Sequence, residues 1–266
     1  MTAGKITLHR LREMKKAREK IACLTAYDAS FARVLDEAGV EVALIGDSLG
    51  MVMQGLGSTV PVTLADMIYH AACVARGCER ALRVADMPYM CYASPAQALG
   101  NAARLMSEGL AEVVKMEGGA WLADTVRLLS ERGVPVCAHL GLLPQSVHRM
   151  GGYRVQGRDA TEAEAIREHA KILQSAGAMM LVLECVPRRL AARITSELSI
   201  PVIGIGAGPD CDGQVLVLQD VLGIGRATKH TRNFLAGDCR NIPEAIAAYV
   251  RAVKSGEFPA AEHGFD

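Results

Sequence analysis

The sequence predicts a closed, eight-stranded parallel β/α barrel of the TIM type, and three observations lead there. Short apolar runs alternate with segments of helical period through most of the 266 residues, the pattern of repeated β-α units. Eight such runs can be counted, most of them separated by enough chain for a crossover helix. Four of them end on an acidic residue or are closely followed by one: Asp47 in VALIGDSLGM, Asp86 in LRVADMPYM, Glu117 in EVVKMEGG and Glu184 in MMLVLECVP. A carboxylate at the end of a buried strand is costly unless something compensates it. In a barrel such strand ends converge on one mouth, whereas in a doubly wound sheet they spread along a crevice, so the barrel gives the four acids a common place.

The elements follow in order. Residues 8–20 are basic and amphipathic and predict a helix ahead of the first strand, with a solvated polar face. Strands begin near Ile21, Glu41, Ala81, Glu112, Val134, Met179, Pro201 and Gln214. Thr63 with Asp66, Ser94 with Gln97, and Thr161 with Glu164 have the spacing of capping boxes, and Pro95 fits a first helical turn. Gly39, Gly77 and Gly133 are expected to stop helices. Residues 243–255 predict a closing helix. No linker rich in proline, serine or charge divides the chain, so residues 1–266 are read as one barrel domain with a helix at each end.

Composition narrows the function. Lysine and arginine number 29 and aspartate and glutamate 29, so no overall field favours nucleic acid or an anionic membrane, and a small-molecule partner is expected. The start lacks the apolar core of a secretion signal and no later stretch is long enough to span a bilayer, which predicts a soluble, cytoplasmic protein. The eight cysteines contain no C-x-x-C pair, which argues against zinc or a disulfide framework. Cys23, Cys137 and Cys185 read as small buried hydrophobes. Cys91 has two readings, a packed thiol or a nucleophile, although no adjacent base is evident.

Two glycine-rich stretches also have two readings each. GIGAG at 204–208 follows the seventh strand, where barrels bind phosphate, but it lacks the spacing of a nucleotide fingerprint and equally suits tight turns. Residues 141–157, without periodicity, suit either a lid or a subunit contact.

Asp47, Asp86 and Glu117 offer only oxygen, a donor set suited to a hard divalent ion such as magnesium. Such an ion keeps positions open for a chelating 2-oxo acid; the plainer alternative is that these acids cap helices or pair with arginines. Lys115 lies two residues before Glu117 and shares its strand face. It either neutralises a substrate carboxylate or enolate, or forms an ion pair with Asp86 or Glu117. His139 is a site residue or a hydrogen-bonded core histidine. Glu184, preceded by nothing polar on its strand, is the candidate general base, with burial expected to raise its proton affinity.

The ordered motifs TAYDASFA, VALIGDSLGMVMQG, STVPVTLADMIYH, VADMPYM, VKMEGG, VPVCAHLGLLPQS, GGYRVQGR, LVLECVP and IPVIGIGAG resemble those of the ketopantoate hydroxymethyltransferase family over nearly the whole chain. The segment GRATKHTRNFL matches that pattern less well. The resemblance implies a phosphoenolpyruvate/pyruvate-like barrel that assembles as a homo-oligomer, a homodecamer. It further implies hydroxymethyl transfer from 5,10-methylenetetrahydrofolate to 3-methyl-2-oxobutanoate, the first committed step of pantothenate synthesis. It makes Asp47, Asp86 and Glu117 the residues of one Mg2+ site per subunit, with Glu117 acting through water. Asp47, Ser48, Asp86 and Lys115 would then contact the 2-oxo acid, and Glu184 would accept the proton. Two rivals are a magnesium barrel of the phosphoenolpyruvate mutase and isocitrate lyase kind, whose lysine-cysteine-glycine-histidine segment is missing here, and a non-catalytic 2-oxo-acid sensor.

Overall fold

The computed structural model describes residues 4–225, 227–237 and 239–266. Eight parallel strands close in sequence order: β1 Ile21–Thr25, β2 Val42–Ile45, β3 Leu82–Asp86, β4 Val113–Glu117, β5 Val136–Gly141, β6 Met180–Glu184, β7 Val202–Ile205 and β8 Gly213–Leu216. β8 pairs back onto β1, with Cys23 opposite Val215, so no sheet edge is left open. Side chains alternate as the pleat requires. Val113 points inward with Val84, Cys137, Met180 and Val215, while Val114 and Met116 of the same strand pack outward under the helices. The inward layer fills the barrel, leaving a cavity of only ≈ 10 Å³ below Lys115.

The helices are α1 Leu8–Lys16, α2 Ala29–Glu37, α3 Leu49–Val52, α4 Leu64–Gly77, α5 Pro95–Ser107, α6 Ala123–Glu131, α7 Val147–Met150, α8 Ala160–Ala176, α9 Arg188–Glu197, α10 Leu218–Val221 and α11 Ile242–Ser255. α1 is shorter than its sequence pattern suggests, because the chain turns at Arg18 with φ +57. Its apolar face is a stopper: Leu11 and Met14 are fully buried in the same cluster as the inward layer of the strands. No helix separates β7 from β8. Residues 206–212 make that crossing: GIGAG ends β7 with Gly204 and Ile205, and Gly206 and Gly208 bend the chain away at positive φ.

Thr63 and Asp66 cap each other reciprocally. Ser94 accepts from the Gln97 N–H, but the Gln97 side chain accepts from Ala93 instead of completing the box. The Thr161 box is absent. α8 begins earlier, where the extended Asp159 accepts from the Glu162 N–H, and this leaves Thr161 inside the first turn. Gly39 and Gly133 adopt positive φ after their helices. Gly77 is instead the last residue of α4, and a Cβ there would stand 2.0 Å from the Ala29 carbonyl oxygen, so closeness explains it. Among the described residues no helix is long and apolar enough to cross a membrane.

α11 locks the closing seam. The Tyr249 hydroxyl lies 2.8 Å from the Cys23 carbonyl and 2.9 Å from that of Gln214, one on each side of the β1–β8 junction. Lys254 of the same helix stands 2.7 Å from buried Glu41, whose other oxygen accepts from the Ala22 N–H. Replacing Lys254 with Met leaves that carboxylate without its cation. Urea unfolding should show a loss of about 2 kcal/mol, less than for a fully buried pair because Lys254 is partly exposed. Adding Glu41→Gln should restore part of the loss; strict additivity of the two losses would refute the coupling.

Candidate active site

The parallel register brings the acidic strand ends to one mouth. Asp86 is level with Lys115, Glu117 with His139, and Gly141 with Glu184. Asp47 joins them from the turn after β2, where its N–H donates to Asp86 Oδ2 at 3.0 Å. That turn requires Gly46, since a Cβ would stand 2.7 Å from Ser48 Oγ. Ser48 Oγ is in turn 2.9 Å from the hydroxyl of buried Tyr27. All seven residues expected to form the site, Asp47, Ser48, Asp86, Lys115, Glu117, His139 and Glu184, therefore stand on the same face of the barrel.

Charge organises the centre. Lys115 Nζ is 2.6 Å from Asp86 Oδ1, the ion pair considered above. Burial opposes the charge on Lys115, but Asp86, Glu117 and Asp47 together outweigh it and hold the ammonium protonated. Asp47 is pushed well above the usual carboxylate range by its burial and by the charges of Asp86 and Glu117. One ammonium thus faces three carboxylates, each almost completely buried.

His139 lies between the two glutamates, its Nδ1 3.4 Å from Glu117 Oε1 and its Nε2 3.3 Å from Glu184 Oε2. Burial and Lys115 oppose its protonation; the two glutamates prevail and raise it to about 9. Glu184 is less buried than the other acids: its side chain sits at the rim and is 17 % exposed against 3 % for Glu117. Its backbone is held on three sides. The Glu184 carbonyl accepts from the Leu142 N–H at 2.8 Å, and the neighbouring Cys185, at φ +47, donates to Ile205 and accepts from Gln156. Gly141 is needed beside it, since a Cβ there would come within 2.2 Å of the Glu184 carbonyl oxygen.

Gln145 was not foreseen from sequence, yet it reaches two of the acids. Its Nε2 donates to Asp47 Oδ2 at 2.8 Å and to the Met87 carbonyl at 2.9 Å, and its backbone N–H donates to Glu117 Oε2 at 3.0 Å. Its Oε1 accepts from the Tyr92 hydroxyl at 2.5 Å. The only signal was its place in the 141–157 segment, which has no periodicity. Cys91, by contrast, is partly packed against the core and burial pushes its thiol up, which fits the packing reading. The eight cysteines are free.

As a cation site the centre has suitable chemistry in a loose arrangement. Among the described residues no three histidine, cysteine or acidic side chains are grouped to ligate one ion together. Nevertheless the donors are all oxygen, and Asp47 carries repulsion from Asp86 and Glu117 that its hydrogen bond to Gln145 does not offset. A divalent ion answers each of these features.

A family model described as ketopantoate hydroxymethyltransferase matches residues 5–261. The chain belongs to this family. Proteins named 3-methyl-2-oxobutanoate hydroxymethyltransferase are similar over almost their full length. That of Nitrosococcus oceani is 61 % identical, covering 97 % of this chain and 98 % of its own, and that of Marinobacter nauticus is 60 % identical, covering 98 % of each. The chain is therefore a hydroxymethyl-transferring enzyme. Among solved structures it resembles the phosphoenolpyruvate phosphomutase of Streptomyces platensis subsp. rosaceus, with TM-score 0.60, 13 % identity and 83 % coverage of each chain. It also resembles an oxaloacetate acetylhydrolase in complex with oxalate, with TM-score 0.59, 15 % identity, and coverage of 96 % of this chain and 99 % of the other. Identities this low establish the shared barrel and nothing of its chemistry.

The His139 environment sets a pH dependence that can be measured on the metal-free enzyme. A histidine raised from 6.5 to about 9 on folding stabilises the fold fully below pH 6.5, and the contribution disappears as pH rises through about 9. Its ceiling is about 3 kcal/mol. In EDTA, unfolding free energy should fall across this window, and His139→Asn should flatten that part of the profile; an unchanged slope in the variant would contradict the assignment.

Proposed function

We propose that this enzyme transfers a hydroxymethyl group from 5,10-methylenetetrahydrofolate to 3-methyl-2-oxobutanoate, giving 2-dehydropantoate and tetrahydrofolate in pantothenate synthesis. The observation that carries the reading is the placement of a rim carboxylate, Glu184, beside His139 at the same mouth as the Lys115–Asp86 pair. One group can take a proton there while another meets negative charge.

Asp47 and Asp86, with Glu117 acting through water, would hold a magnesium ion. When bound, that ion supplies Lewis-acid polarisation of the 2-oxo group and so acidifies C3 of the substrate. Lys115, kept protonated, neutralises the substrate carboxylate or the charge that develops on its oxo oxygen, and Ser48, oriented by Tyr27, offers a hydroxyl to the same oxygens. Glu184 removes the C3 proton, and His139 keeps the glutamate aimed from its inner side. The carbanion forms the new C–C bond to the one-carbon unit of the folate, whose hydroxyl oxygen comes from water; both C–N bonds to the folate break, and the C3 proton and one proton of the water end on the two folate nitrogens. A homo-oligomer belongs to the same reading, supported by large apolar side chains left exposed, Tyr69, Trp121 and Ile224 among them.

Proton NMR of 3-methyl-2-oxobutanoate in deuterated water with enzyme and magnesium, omitting folate, tests the proposal. The C3 proton should exchange with the wild type, and Glu184→Gln should slow exchange by about 10²–10⁴-fold, the range for loss of a general base. Asp86→Asn should fold normally and lose most turnover. Wild-type exchange in Glu184→Gln would reject the base, a near wild-type rate for Asp86→Asn at saturating magnesium would reject the metal role, and neither exchange nor product with the folate present would reject the reaction.

A further inference from the structure

The amide of Gln145 has only one workable orientation. Its Oε1 receives the Tyr92 hydroxyl, so Nε2 must face Asp47 Oδ2 and the Met87 carbonyl, and both of its hydrogens are used there. A flipped amide would set Oε1 against the Met87 carbonyl and the Asp47 oxygen and lose both bonds that Nε2 makes there. Asp47 is therefore gripped through Oδ2, and among the described residues Oδ1 has no protein hydrogen-bond partner. The backbone N–H of the same residue takes Glu117 Oε2. One residue on the short turn Pro144–Ser146 thus orients two of the three acids, although it is 98 residues from Asp47 and 28 from Glu117 in sequence. Three residues earlier, Leu142 binds the Glu184 carbonyl, so the same segment also fixes the base.

We propose that Gln145, held in orientation by Tyr92, is a positioning residue that sets the affinity of the acidic centre for a divalent cation. The inference rests on the cation reading given under Proposed function and adds the device that arranges the ligands. The carboxylates repel one another, and without an anchor Asp47 could turn away from Asp86. Gln145 resists that turn without adding charge, leaving an oxygen available for the ion. Residues that orient metal ligands from behind usually change affinity by about 10–100-fold when removed.

Magnesium binding measured by calorimetry on the full chain, in wild type, Gln145→Met and Tyr92→Phe, tests this without relying on turnover. Methionine keeps the length of the side chain and the backbone N–H to Glu117 but has neither amide donor nor amide acceptor. The dissociation constant should rise at least tenfold in Gln145→Met and about threefold or more in Tyr92→Phe, where the amide loses its orienting partner and the Glu117 backbone loses its contacts with the hydroxyl. In the C3 exchange assay the magnesium concentration for half-maximal rate should rise in parallel, with the rate at saturating magnesium changed less. Gln145→Met binding magnesium within twofold of wild type would overturn the inference while sparing the metal reading. A wild type that binds no magnesium would overturn both. Should Gln145→Met fail to fold, Tyr92→Phe decides, and an unchanged constant there overturns the role.

Discussion

Three buried carboxylates facing one lysine are the constraint on which the upper half of this molecule depends. Asp47, Asp86 and Glu117 are each within a few per cent of complete burial, and Lys115 neutralises only part of their charge. Burying like charges together is expensive, and three nearby donors are turned onto them: the Asp47 N–H onto Asp86, the Gln145 N–H onto Glu117 and the Gln145 amide onto Asp47. The repulsion left over is what the proposed cation would relieve. Function and strain share one origin here.

The rest of the barrel supplies the rigidity that holds such a centre together. A filled interior beneath Lys115, a helix that stoppers the floor with Leu11 and Met14, and α11 fastened across the β1–β8 seam all restrict movement of the strands that carry the acids. Closing the sheet also fixes the register, and a slip of one residue on β4 would turn Lys115 and Glu117 outward together. The bond from Ala22 to Glu41 and from there to Lys254 shows the same principle at the opposite end, where a buried carboxylate is tolerated because a helix brings its counter-charge.

Much of this was legible because strands write their geometry into sequence with period two. The acids of β3, β4 and β6, with Lys115 two places before Glu117, could be assigned to one face before any coordinates, and the positions of Asp47 and His139 followed from neighbouring strand ends. What stayed hidden lies on irregular backbone. Gln145 and Tyr92 sit in segments whose residue types carry no periodicity, and their importance comes from contacts spanning tens of residues. Thr161 shows a second kind of failure: two residues within reach of a helix start could cap it, and only Asp159 stands just ahead of the first turn in the extended conformation a cap requires. The missing helix between β7 and β8 was hidden for a third reason, since a glycine-rich crossing satisfies the closure of the sheet without one. The weaker family match at GRATKHTRNFL includes Arg226, which lies outside the described residues, while His230 of that segment packs against Phe265 near the end of the chain.

The separation of Glu184 from the other acids suits the roles proposed for each. A carboxylate intended to meet a cation can be buried among its own kind, because the cation resolves the repulsion. A carboxylate intended to take a proton must reach the substrate and then return the proton to solvent, which favours the rim. His139 occupies the gap between these two demands: it touches Glu117 on the inner side and Glu184 on the outer, and its protonation, favoured by both, separates their charges. A neutral side chain of the same size would leave two glutamates facing each other across the mouth. The histidine on β5 therefore separates the inner acids, the last of them on β4, from the rim glutamate on β6, with each held in its own electrostatic setting.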